Sequence, residues 1–146
     1  MADSKVIDGL NTILADAIVF YQKLHNYHWV VEGKHFFGLH EKFEELYDRW
    51  AEVMDDVAER VLTIGGRPVP TLADALKGAT IEEDGSKPDA KDMVKIVLAD
   101  MEKQLENMRQ TIAAAEEADD RGTANLLDEF CDEIEKTNWM LKAWLA

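Results

Sequence analysis

Along most of this chain apolar residues return every three or four positions, the period of an amphipathic helix and not of a strand. Val6, Leu10, Ile13, Ala17, Tyr21, Leu24 and His28 form one such stripe and predict a first helix from about Ser4. Gly33, after Val31 and Glu32, is expected to stop it in a left-handed conformation. A second helix is predicted from about Lys34 to Ile64, with Phe37, His40, Tyr47, Ala51, Met54, Ala58 and Val61 as its inner face. Gly65 and Gly66, followed by Pro68 and Pro70, terminate it. Met93, Val97, Met101, Leu105, Met108, Ile112 and Ala115 mark a third helix over about Asp89 to Ala118. Leu127, Phe130, Ile134, Thr137, Leu141 and Trp144 mark a fourth, for which Thr123, after Gly122, is the expected cap.

Residues 67–88 must carry the chain from the second helix to the third. Thr71 and Asp74 are spaced as in a capping box and predict a short helix to about Lys77. Gly78 to Pro88 reads as loop. No strand signal, repeat or second domain boundary is visible, so residues 1–146 are expected to form a single all-α domain. Its short first and last connections and long middle one describe a four-helix bundle with one crossover.

Composition narrows the function classes. The one cysteine, Cys131, excludes an internal disulfide framework and suits a reducing compartment. No apolar run nears the roughly 18 residues of a membrane span, and no basic-then-apolar leader is seen, so a cytoplasmic location is expected. Net charge is −14. Such a surface repels nucleic acid and anionic lipid and gathers cations, although charge alone is more simply read as solubility.

The candidate chemistry lies between Tyr27 and Arg60, which hold three of the four histidines. On a helix, His40, Glu44, Asp55 and Glu59 fall within a sector of about 100° beside the inner face. His28 and His40 flank the turn, and Glu44 follows His40 by one helical turn. Imidazole with hard carboxylate oxygen suits iron, and also Zn or Mn. A Glu-x-x-His pair on each of two helices, the usual intra-bundle di-iron pattern, is missing; the sole formal match, Glu32 to His35, spans the turn. Asp55 and Glu59 sit almost 20 residues beyond the histidines, roughly 30 Å away at ~1.5 Å per residue. These groups can share an ion only if a second subunit lies antiparallel to the first. The competing reading is a core histidine beside a solvated acidic face.

The segments HWVVEG, FFGLHEKFEELY, MDDVAERVLTIGG and the late KTNWMLKAWL resemble the signature of the mini-ferritins, the DNA-binding proteins from starved cells. The likeness covers nearly the whole chain and implies a ferritin-like four-helix bundle with a short helix in the crossover. It also implies a dodecameric cage that binds iron at two-fold interfaces. His28, His40 and Glu44 would come from one subunit and Asp55 and Glu59 from its partner. The implied activity is a ferroxidase that oxidises Fe(II) with hydrogen peroxide, or with O2, stores ferric mineral and protects against oxidative stress. Trp29 is implied as a radical trap, with an aromatic packing anchor as the alternative. Asp120 and Asp128 are implied at the pores that admit iron, with a solvated face as the alternative. The family often has Asp where this chain has Glu44, and an acidic residue where it has Asn125. His25 and His35 carry no assigned role.

Two other functions share the same helices. One is DNA binding, as the family name suggests. Members that coat DNA use a basic tail, whereas Lys5 is the lone base near this N-terminus, and twelve copies would carry 12 × −14 = −168 formal charges. The other is a metal-free acidic bundle acting as a scaffold, which needs neither the histidines nor a cage.

Overall fold

The computed structural model describes residues 3–146. Asp3 opens α1 (Ser4–Val30) by accepting a hydrogen bond from the Lys5 N–H at 2.8 Å. The chain then turns through Gly33, whose φ of +103° favours a residue without a Cβ, and enters α2 (Phe36–Thr63). Gly65, at φ +92°, closes that helix as the sequence predicts. In the crossover, Thr71 accepts from the Asp74 N–H and donates its hydroxyl to the Asp74 carboxylate, starting α3 (Leu72–Gly78). Asp89 caps α4 (Ala90–Glu117) by accepting from the Asp92 N–H at 2.9 Å.

α5 (Arg121–Leu145) corrects one expectation. Its cap is Asp120 and not Thr123. The Asp120 carboxylate accepts from the Thr123 N–H at 3.1 Å and from the Thr123 hydroxyl at 2.6 Å, which leaves Thr123 buried inside the first turn. A carboxylate three residues upstream satisfies the free N–H groups of a helix start as a hydroxyl would, and adds charge.

The crossover is tied along α1 in register. Asn11 bonds to the Arg67 carbonyl and the Val69 N–H. The fully buried Asp16 carboxylate accepts from Thr80 N–H, the Thr80 hydroxyl, Ile81 N–H and the Asn107 amide. Lys23 donates to the Glu82 carbonyl at 2.8 Å and pairs with Asp100 at 2.7 Å. Burial raises the Asp100 carboxyl above the ordinary range despite that lysine. Asn26 bonds to the Asp84 and Ser86 carbonyls. Tyr27 donates its phenol to Asp84 at 2.5 Å, and burial above all raises its pKa well beyond the usual tyrosine value. The crossover therefore travels the length of α1 and delivers the chain to the end where α1 and α2 are joined. α4 consequently runs antiparallel to α1 and parallel to α2. Near the far end, Gly9 brings α1 close to α4; a Cβ at Gly9 would stand 2.4 Å from the Thr111 hydroxyl.

The stripes read on α1, α4 and α5 enter the core, apart from half-buried Tyr21, Ile112 and Thr137 and the exposed Trp144. α2 differs. Its buried face is Leu39, Phe43, Leu46, Trp50, Val53, Val57 and Val61. Of the residues assigned inward, only Val61 is fully buried, and Phe37 is 84% exposed. This helix is apolar on two adjoining faces, and periodicity cannot say which one meets its own bundle. Among the described residues no helix is long and apolar enough to cross a membrane.

Candidate metal centre

The turn between α1 and α2 places His28 and His40 face to face, their rings stacked 3.8 Å apart at 11°. Each ring is fixed by the other's main chain. His28 Nδ1 donates to the His40 carbonyl at 2.6 Å, and His40 Nδ1 donates to the His28 carbonyl at 2.7 Å. A carbonyl can only accept, so both protons belong on Nδ1. In the neutral rings both Nε2 atoms then carry free lone pairs, the form in which imidazole binds metal.

Glu44, half-exposed one turn after His40, brings Oε1 to 3.7 Å from His28 Nε2. Imidazole nitrogen and carboxylate oxygen thus converge at one edge of the bundle, beside solvent. Asp55 and Glu59 are exposed and lie on the same unbroken helix, 15 and 19 residues beyond His40. That is roughly 22 to 28 Å along the axis. A hydrogen bond and the like charge of Asp55 raise the Glu59 carboxyl above the usual range. A divalent cation would relieve the same repulsion. Among the described residues, no three His, Cys, Asp or Glu side chains of a single chain form a group able to hold a metal ion. Each end of α2 offers a partial donor set.

The ferritin-like domain family matches residues 7–146. DNA protection during starvation protein 2 of Bacillus anthracis is 43% identical over 98% of this chain and 98% of its own length. The crystal structure of a Dps protein from Bacillus brevis superposes with a TM-score of 0.97 at 44% identity, over the whole of both chains. The chain belongs to the Dps group of the ferritin-like family. A further Dps protein, from Vibrio cholerae O1, is described as a member of a broad superfamily of ferritin-like diiron-carboxylate proteins. It matches with a TM-score of 0.95 at 37% identity, covering 98% of this chain and 90% of that one.

In this Dps chain the other candidate residues are dispersed. Trp29 is 62% exposed near the end of α1. Asp120 is engaged as the α5 cap and by Arg60 at 2.8 Å. Burial pushes its carboxyl upward, but the Thr123 and Arg60 hydrogen bonds outweigh it and leave the pKa lowered. Asp128 is exposed and lines a hollow of about 370 Å³ with Glu116, Asp119, Arg121, Ala124 and Asn125. His35 meets Trp144 edge-on at the bundle end. Cys131 is buried, and burial chiefly pushes its thiol up to about 11, away from the reactive thiolate.

Sequence reasoning passed over the surroundings of the histidines. Tyr47 packs edge-on to His28 and stacks on His25, whose Nδ1 donates to the Tyr21 carbonyl. Burial, with the charges of Glu44 and Asp48, raises the Tyr47 phenol above its usual value. The available signal was the four-residue spacing of Tyr21, His25 and Trp29, which puts three rings on one face of α1.

Proposed function

We propose that this chain is the protomer of a dodecameric iron-storage cage, acting in the cytoplasm as a ferroxidase that protects against oxidative stress. Fe(II) would bind where two subunits meet antiparallel. His28 and His40 supply Nε2 and Glu44 a carboxylate from one subunit, facing Asp55 and Glu59 of the partner subunit. The observation carrying this reading is the reciprocal lock of His28 and His40, which commits both Nδ1 atoms to carbonyls and sets His28 Nε2 3.7 Å from Glu44 Oε1. A core histidine pair serving packing alone would not need a ring nitrogen beside a carboxylate.

Iron is the substrate. Two Fe(II) ions give two electrons to one hydrogen peroxide, yielding two Fe(III) and two hydroxides, with no hydroxyl radical released. Oxygen donors favour the more highly charged ferric product. O2 is the other oxidant compatible with these ligands. Asp128, with Asp119 and Glu116 around the hollow at the start of α5, is the better candidate for drawing iron inward. Asp120, already bound by Arg60, contributes less to that field. Net charge argues against DNA as a partner.

The test is anaerobic Fe(II) titration of the assembled protein followed by stoichiometric peroxide. Gel filtration should show 12 × 16.6 kDa, about 200 kDa. His28→Ala and Asp55→Ala should each slow oxidation with the assembly intact. Unchanged kinetics in both variants would reject the site, and a particle the size of a lone bundle or dimer would favour the scaffold reading.

A further inference from the structure

The outward side of α2 carries a pattern that reads the same in both directions. At 100° per residue Phe37, Glu44, Asp55 and Leu62 fall within a sector of about 20°. Their spacings are 7, 11 and 7 residues, in the order apolar, acidic, acidic, apolar. The midpoint lies between Arg49 and Trp50, and His40 and Glu59 are centred on the same midpoint. All six stand on one unbroken helix. Phe37 and Leu62, 84% and 59% exposed, are the exposed large apolar residues of α2 among those described. One exposed apolar side chain calls for no explanation. Two at mirror positions, just outside mirrored metal donors, describe a surface that fits a reversed copy of itself, as a two-fold interface requires.

We propose that Phe37 of each subunit packs against Leu62 of the partner subunit, and that the two close the outer end of each shared iron site. This rests on the ferroxidase reading above. One register satisfies every pair. With the midpoints of two antiparallel α2 helices aligned, His40 faces Glu59 of the partner subunit and Glu44 faces Asp55 of the partner subunit. The same alignment sets Phe37 opposite Leu62 of the partner subunit. A slip of four residues would set Phe37 opposite Ala58 or Gly66 instead, so the apolar pair fixes the register as well as closing the site. Within one chain Phe37 and Leu62 are 25 residues apart, about 37 Å along the helix. Neither can cover the other without a second copy. Phe37 lies about one turn outside His40, and Leu62 about one turn outside Glu59, so their contact stands between the donors and bulk water. Imidazole and carboxylate hold a cation more strongly where water is kept out.

The experiment joins the two positions covalently in the assembled protein. The double variant Phe37→Cys/Leu62→Cys is treated with diamide, or with a short bismaleimide, and run on a denaturing gel without reductant. A disulfide needs Cβ atoms about 4 Å apart, and the bismaleimide tolerates a looser fit. Cys131 is buried with its thiol pushed up to about 11, and stays out of the exchange. The double variant should give a linked dimer of 2 × 16.6 kDa, about 33 kDa, and each single variant a monomer. A dimer from Phe37→Cys alone, or none from the double variant with either reagent, overturns the inference. The seal is read separately. Phe37→Ala and Leu62→Ala should each raise the Fe(II) concentration at half-maximal rate by about fivefold with little change in kcat. Because the two share one contact, the double alanine variant should be no worse than either single one; fully additive losses overturn the pairing. Oxidation that needs His28 without a Phe37–Leu62 link overturns this inference alone. A link in a protein whose oxidation is indifferent to His28→Ala supports the pairing and overturns the site reading.

Discussion

The ring of His28 is bonded to the carbonyl of His40, and the ring of His40 to the carbonyl of His28, at 2.6 and 2.7 Å. Neither imidazole can turn without breaking a bond that ties α1 to α2. The tautomer is therefore set before any ligand arrives. Selective ¹⁵N labelling of histidine, read by solid-state NMR above pH 7 without metal, should show two residues protonated on Nδ1 with a bare Nε2. Protons on Nε2 in both rings would remove the basis for metal ligation there.

Division of the donor set between the two ends of α2 predicts complementation. The double variants H28A/H40A and D55A/E59A should each lose most rapid Fe(II) oxidation. Co-assembled in equal amounts, half the antiparallel pairs are mixed and each mixed pair regains one of its two sites, so about a quarter of unaltered activity should return. No recovery above the average of the two variants, with mixed assemblies demonstrated by mass spectrometry, would mean the ligands are not shared in this way.

The acid limb of stability should depend on Asp120. Its folded carboxyl is held below the ordinary range by Thr123 and Arg60 in spite of burial, so the folded state binds a proton less readily than the unfolded chain. The resulting stability is fully present above the unfolded value and is lost as pH falls through the folded one. Asp120→Asn should lower the thermal midpoint near neutral pH and flatten its decline below about pH 4. Parallel declines in both proteins would show that other carboxylates set the acid limit.

Asp16 should be the costliest polar side chain to remove outside the metal centre. Asp16→Ala strands the buried Ile81 N–H and leaves the Asn107 amide with the Thr80 hydroxyl as its remaining partner, at roughly 1–3 kcal/mol for a donor left unpaired. Urea unfolding should show a loss of about 1–3 kcal/mol if the crossover cannot relax. A loss under about 1 kcal/mol would mean water replaces the carboxylate.

Charge predicts the outcome with DNA. At physiological salt and without bridging Mg²⁺, the assembled protein should leave duplex DNA unretarded in a gel, because a chain of net charge −14 repels phosphate. Clear retardation would reveal a local basic surface strong enough to overcome it.

Helix boundaries and three of the four core stripes were legible because α1, α4 and α5 each have one dominant apolar face. α2 was not, since Phe37, Tyr47 and Met54 form a second face next to Leu39, Phe43 and Trp50. His28, His40 and Glu44 could be grouped from spacing because a short turn joins their helices. The stacking of Tyr47 on His25 could not, because residues 22 apart on different helices meet only through the packing angle. Thr123 was mistaken for the cap because hydroxyl and carboxylate compete for that role, and local sequence does not say that Arg60 will arrive to favour Asp120.

The unbroken length of α2 has a further effect in the proposed assembly. Each antiparallel pair would carry two reaction centres separated by roughly 25 Å, the axial distance between the two halves of one helix. Electrons do not cross such a gap in a single fast step. In that assembly each centre would complete its oxidation with its own iron, and a vacancy at one would be no help to the other.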